Sequence, residues 1–199
     1  MQGPQISFPK PGFQALIFDL DGTVVDSMPA HFVAWCRALA DHGQPNVFPE
    51  DVFYSMGGMP TGKIVEILNE KHGLDLNPAA VADSKRIHFL ECLDQVTFID
   101  EVIEFARVNH GKVPMAIASG GSRHVVGKTL QILGVEEMFD AVVTADDVVK
   151  CKPAPDIFLE AAKRLGVDPE GCVVFEDAPA GIEAGHEAGM EVVVIPLVR

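Results

Sequence analysis

Basic residues are scarce in this chain. Fifteen Lys and Arg stand against 29 Asp and Glu in 199 residues, a formal net charge of −14. A surface of that sign repels polyanions, so neither nucleic acid nor an anionic membrane is expected as a partner. No apolar run approaches the roughly 20 residues that cross a bilayer. The opening MQGPQISFPKPGF lacks a basic start followed by an apolar core, so an extended tail is expected there rather than a secretory signal. The four cysteines, Cys36, Cys92, Cys151 and Cys172, are far apart and form no CxxC pair. That argues against a disulfide scaffold or zinc ribbon and for reduced thiols in the cytoplasm. The histidines include no HxH or HxxxH pair, so none is marked as a metal ligand by spacing. A soluble monomer is the expected state.

What is present is an ordinary globular composition, 48% hydrophobic and 22% charged, with length enough for one core and a modest insertion. Five short, near-continuous apolar runs stand out: Ala15–Phe18, Met115–Ala118, Ala141–Thr144, Cys172–Phe175 and Val192–Ile195. Such runs suit strands buried on both faces of a parallel sheet. Helical stretches separate the later ones. Ser122 can cap a helix that stops at Gly134, Pro155 can open another before Gly166, and Ala178–Ala188 reads as a third. The alternation predicts an α/β fold with a doubly wound parallel sheet. From Ser27 to about Phe98 the rhythm breaks. Helices are predicted at Met28–Ala40, at Thr61–His72 with Thr61 as cap, and from Asn77 to about Leu93, with no strand among them. The predicted organisation is a core of residues 1–26 and 97–199 interrupted by a helical subdomain of residues 27–96.

Four loops carry chemistry, each falling where a buried strand ends. FDLDGT, Phe18–Thr23, places Asp19 at the end of the first strand and Asp21 two residues on, with Gly22 permitting a sharp turn. Two carboxylates so close repel each other unless a cation or proton lies between them. Ser119 ends MAIAS and precedes Gly120 and Gly121, offering a hydroxyl and backbone N–H groups to an anion. Lys152 lies between Cys151 and Pro153 in CKPAPDIF, and Glu176 and Asp177 follow CVVF. Alone, these are equally a solvated acidic turn, a strand–helix junction, a surface lysine and helix-capping acids. Together they converge, because open parallel sheets bind ligands at the carboxyl ends of their strands.

In that order, FDLDGTVVDS, ASG, KPAPDIF and FEDAPAGIEAG resemble the four motifs of the haloacid dehalogenase superfamily, over nearly the whole chain. The helical insertion resembles the cap of that superfamily's β-phosphoglucomutase-like branch. The resemblance implies a phosphoric monoester hydrolase acting on a small phosphorylated metabolite, with Asp19 as the nucleophile that forms an aspartyl phosphate. Asp21 would protonate the leaving alkoxide and then activate water. Ser119 and the Gly120 N–H would hold phosphoryl oxygens, and Lys152 would orient Asp19. The implied cofactor is Mg2+, bound by Asp19, the Asp21 carbonyl and Asp177 with Glu176 beside it. Asp21 also favours a phosphate ester over a carbon–halogen bond, since dehalogenases of the superfamily need no acid for a departing alkoxide.

Substrate choice in this branch resides in the cap. His31 falls at the position of a cap-hinge histidine and Trp35 lies one turn later, and both are equally explained as cap packing. The loop GGMPTGK, Gly57–Lys63, resembles the specificity loop, with Thr61 where the mutase carries a phosphate-gripping arginine and Lys63 as a possible substitute. Lys85, Arg86 and His88 are further candidate cations. VTFIDEVIEF, Val96–Phe105, departs from the proline-glycine turn usual in relatives. The missing arginine favours a sugar-phosphate phosphatase over β-phosphoglucomutase. A phosphoaspartate receiver module is the reading from another class, opposed by DxDGT and by the cap. The junctions near Ser27 and Phe98 are the candidate hinges.

Overall fold

A computed structural model of the chain describes residues 6–57 and 59–196. In chain order these form β1 (Ala15–Phe18), β2 (Val25–Asp26), α1 (Met28–Asp41), α2 (Glu50–Ser55), α3 (Thr61–His72) and α4 (Pro78–Leu90). Then come β3 (Thr97–Phe98), α5 (Asp100–Asn109), β4 (Met115–Ser119), α6 (Arg123–Leu133) and β5 (Ala141–Thr144). The chain continues through α7 (Asp156–Leu165), β6 (Cys172–Glu176), α8 (Pro179–Glu187) and β7 (Glu191–Val194). They fall into two compact units, Ser27–Val96 and the segments on either side of it.

The first unit is an α/β sheet in the order β5–β4–β1–β6–β7, parallel at every pairing. β1 is central, hydrogen-bonded to β4 and β6, and all four of its side chains are fully buried. That explains why its sequence is an unbroken apolar run rather than an alternation. Successive side chains still point to opposite faces. Ala15 and Ile17 pack with Ala118, Val143 and Val174 against Ile157, Phe158 and Ala161 of α7. On the other side Phe18 stacks on Phe175, ring centroids 4.6 Å apart, and Phe175 meets Phe105 of α5. Phe8, from the segment before β1, stacks on Phe105 at 4.7 Å. The first five residues of the expected extended tail lie outside the described residues.

β2 and β3 form a two-residue antiparallel ribbon, Val25 opposite Phe98 and Asp26 opposite Thr97. The interval expected to hold no strand therefore ends in one. A two-residue strand leaves no periodicity in sequence, which is why neither β2 nor β3 was legible. Other boundaries move slightly. Pro60 takes the N-cap position of α3 and Thr61 is its first helical residue, so Thr61 does not cap it. α4 stops at Leu90 and a single 3-10 turn, Leu93–Gln95, follows. α2 and α5, too short or too weakly marked to read from pattern, are additions. β7 begins one residue earlier than its apolar run.

The second unit is helical. Trp35, Leu39, Phe48, Phe53, Ile64, Val65 and Leu68 form its core, with the Trp35 ring edge-on to Phe48 at 5.2 Å. Trp35 is thus a packing residue. Asn77 caps α4 by accepting from the Ala79 and Ala80 N–H groups, and the Asn69 amide bonds both backbone groups of Leu76 to close the preceding loop. α1 and α4 pack along each other and are tied at their surface by His88. Its Nε2 lies 2.7 Å from Asp41 Oδ2 and its Nδ1 3.1 Å from Glu91 Oε2. Ser84 also donates to Asp41, and Arg37 reaches Glu91.

Both nitrogens of His88 can donate only when the ring is protonated. The hydrogen bond with Asp41 holds the His88 pKa above its ordinary 6.5, and the bonds from Ser84 and His88 hold Asp41 below its own ordinary value. A raised folded-state pKa stabilises fully below the unfolded value and loses that contribution as pH rises through the folded one. Asp41 stays ionised throughout that window. His88→Gln is therefore expected to lower the melting temperature most near pH 6, with the gap from wild type closing towards pH 9. Thermal melts across that range check this, and a gap that widens with pH would contradict it.

Candidate active site

The carboxyl ends of β1, β4 and β6 meet at one ammonium. Lys152 Nζ donates to Asp19 Oδ1 at 2.6 Å, to Glu176 Oε1 at 2.7 Å and to the Ala118 carbonyl at 3.1 Å. Those acceptors lie at the ends of three neighbouring strands, so the parallel register brings them together although Asp19 and Glu176 are 133 and 24 positions from the lysine. The two carboxylates are buried: Asp19 is 7% exposed and Glu176 1%. Burial opposes the charge on Lys152, but Asp19 and Glu176 together hold its pKa above that of an ordinary lysine. Burial pushes Asp19 up and Lys152 pulls it down. The ammonium and its carboxylate partners favour each other's charged form, and the burial of Lys152 depends on them.

Both Glu176 oxygens are engaged. Its Oε1 accepts from Lys152, and its Oε2 accepts from the Ala178 N–H at 2.7 Å. Its oxygens thus anchor Lys152 and the start of α8. Asp177 stands apart from that bond network. The Thr23 hydroxyl donates to Asp177 Oδ1 at 3.0 Å, and its carboxyl is pushed up to about 7, first by burial and then by Glu176. Asp21 sits in the turn between β1 and β2, in a bridge with Val25. Ser119 ends β4, and its Oγ accepts from the Gly121 N–H at 3.0 Å. With a lone pair so engaged, the Ser119 hydroxyl has its own hydrogen to donate to an anion. The loop after it is braced from β5, where the Ala145 N–H bonds the Gly121 carbonyl and Asp146 accepts from the Arg123 N–H.

Two glycines are required by space. A Cβ on Gly22, whose φ is +89°, would lie 2.4 Å from Asp177 Oδ2. A Cβ on Gly181 would lie 1.8 Å from Glu176 Oε1. Each therefore lets a carboxylate rest against backbone. Thr23, Gly22 and Gly181 all lie inside the motif stretches read from sequence, but their roles were missed. No local pattern reveals which distant acid a glycine must accommodate.

Gly120, exposed, follows Ser119 in the loop after β4, and the other nominated residues belong to the helical unit. His31 stacks on Phe89, ring centroids 3.8 Å apart. Thr61 opens α3, and Lys63 bonds Glu66 at 3.0 Å. Lys85 lies over the Phe89 ring and Arg86 bonds Asp83. Of GGMPTGK, Gly58 lies outside the described residues. Among the described residues no three His, Cys, Asp or Glu side chains form a group that would hold a metal unaided.

A doubly wound parallel sheet that gathers its acids at the carboxyl ends of its strands is the arrangement of an α/β enzyme. More narrowly, the chain belongs to the haloacid dehalogenase-like hydrolases, whose family model matches residues 13–189. It is 39% identical over 189 residues to a fructose-1-phosphate phosphatase of Escherichia coli (strain K12), covering 93% of this chain and 97% of that one. It is 34% identical over 182 residues to a phosphorylated carbohydrates phosphatase of Thermotoga maritima, covering 89% and 82%. Among solved structures, a β-phosphoglucomutase of Clostridium difficile superposes with TM-score 0.75 at 26% identity, over 90% of this chain and 83% of that one.

The close approach at Gly181 has a measurable consequence. Gly181→Ala must displace Glu176 and break its bonds to Lys152 and Ala178, and disrupting a buried pair typically costs about 3 to 5 kcal/mol. Gly127, inside α6 with nothing within 4 Å of its would-be Cβ, is the contrast. Gly127→Ala should stabilise by about 0.5 to 1 kcal/mol through helix propensity. Denaturant unfolding of the two variants should give opposite signs. A neutral Gly181→Ala would disprove the packing described.

Proposed function

We propose that this hydrolase cleaves small sugar phosphates, with Asp19 as the nucleophile. The observation that carries the reading is the Lys152 ammonium bonded at once to Asp19 and Glu176. It orients the Asp19 carboxylate at a strand end and lowers the cost of ionising it there. An aligned carboxylate attacks phosphorus in line and releases the sugar alkoxide as the aspartyl phosphate forms. Asp21 protonates the departing oxygen, then takes a proton from the water that hydrolyses the intermediate. The Ser119 hydroxyl and the Gly120 N–H donate to the phosphoryl oxygens, and Lys152 offsets the charge gathered there. The names of the two phosphatase relatives support the substrate class.

A magnesium ion fits the donor set. The raised pKa values of Asp19 and Asp177 mark carboxylates that are costly to ionise without a nearby cation. The Gly22 backbone leaves Asp177 a cradle that a Cβ would fill. Asp19, Asp177 and the Asp21 carbonyl are the hard oxygens that would hold it. When bound, it would neutralise acids and polarise the phosphoryl group.

β-Phosphoglucomutase activity is the second reading, favoured by the solved neighbour of that name. A mutase must grip a second phosphate, and here Lys63 is paired with Glu66 and Arg86 with Asp83. Both pairings favour the phosphatase. The test is inorganic phosphate release from hexose and pentose phosphates, fructose 1-phosphate included, with magnesium and with EDTA. Release should need magnesium and vanish in Asp19→Asn, whose amide cannot attack. Asp21→Asn should slow turnover by about 10²- to 10⁴-fold, the usual worth of acid–base help. Release that survives EDTA or the Asp19 substitution would overturn the reading. Conversion of β-glucose 1-phosphate to glucose 6-phosphate, dependent on added bisphosphate, would replace it with the mutase.

A further inference from the structure

Lys152 has a fourth neighbour besides its three oxygen acceptors. Its Nζ lies over the ring of Phe158, 4.9 Å from the centroid. Phe158 sits in the first turn of α7, is fully buried, and packs among Ile17, Ala118, Val143 and Val174. The bland account is that it fills the core. Several observations argue for more. An ammonium has three N–H bonds, and here all three have acceptors at 2.6, 2.7 and 3.1 Å. A further polar group would compete with Asp19 for one of them. An aromatic face attracts the cation through its quadrupole and takes no hydrogen bond. It also brings no negative charge to a site already crowded with carboxylates.

We propose that Phe158 is a positioning residue for catalysis, its ring face holding the Lys152 ammonium in place through the reaction. The proposal rests on the phosphatase reading above. Once Asp19 carries a phosphoryl group, its carboxylate has become a neutral acyl linkage and the charge has moved to the phosphoryl oxygens. Lys152 then loses one of its two anionic anchors. Glu176, the Ala118 carbonyl and the Phe158 ring do not change, so the ring matters more on the way to the intermediate than in the free enzyme. An interaction that strengthens along the reaction coordinate acts on rate.

Substituting Phe158 with an aliphatic residue would mix lost packing with lost electrostatics. Fluorination separates them, because each fluorine drains the ring face while nearly preserving its shape. The experiment places mono-, di- and trifluorophenylalanine at position 158 in the full-length protein. It measures kcat/KM on the best sugar phosphate, together with the melting temperature. We expect kcat/KM to fall stepwise with fluorine number, by about tenfold across the series, the scale of a desolvated cation–π contact. The melting temperature should stay level. The same series at Phe53, in the core of the helical unit, should leave both unchanged. An active native enzyme with a flat series at position 158, or a loss tracked by the melting temperature, overturns the role of Phe158 alone. A native enzyme inactive on every phosphate ester overturns the phosphatase reading and the role with it.

Discussion

An ammonium group taken out of water costs several kcal/mol unless its partners are close and correctly aimed. Lys152 is such a group, and much of the sheet's carboxyl end is arranged around it. Asp19, Ala118 and Glu176 supply its oxygens from β1, β4 and β6. The loop that carries it is anchored by α7, whose apolar face lies across β1, β4 and β5. The same bonds that make the lysine tolerable hold Asp19 in one orientation. Under the proposed function, stability and reactivity share a contact, which is common where a charged site is buried.

Close packing supplies the second constraint. Glu176 can reach both Lys152 and the Ala178 N–H only because residue 181 has no Cβ, and Asp177 rests against the turn only because residue 22 has none. Thr23, wholly buried, then fixes the Asp177 carboxylate. The acids are held at a spacing that solvent would not permit by itself. Their raised pKa values express that enforced proximity together with burial.

The helical unit is governed by different physics. Its interior is an aromatic and aliphatic core, and several of its cations meet carboxylates on the same or adjacent helices: Lys63 with Glu66, Arg86 with Asp83, and His88 with Asp41 and Glu91. Such exposed pairs add little stability each.

The α/β class and the candidate Asp19, Asp21, Ser119, Lys152 and Asp177 were legible because strands buried on both faces are unbroken apolar runs. A strand's end marks where chemistry sits, so a residue's place in sequence carries its place in the sheet. Helix ends at Gly73, Gly134 and Gly166 were legible for a similar local reason, since each adopts the left-handed backbone that glycine favours. What the chain alone did not determine is every feature that depends on two distant segments meeting. The β2–β3 ribbon is too short for a period, and Thr61 loses the cap to Pro60. Glu176 bonds Lys152 and Ala178, and the ring of Phe158 comes to rest beside the Lys152 charge. Local pattern encodes burial and backbone conformation, whereas the partner of a buried charge is selected by strand register and by the space the neighbouring backbone leaves, and those exist only once the sheet has formed.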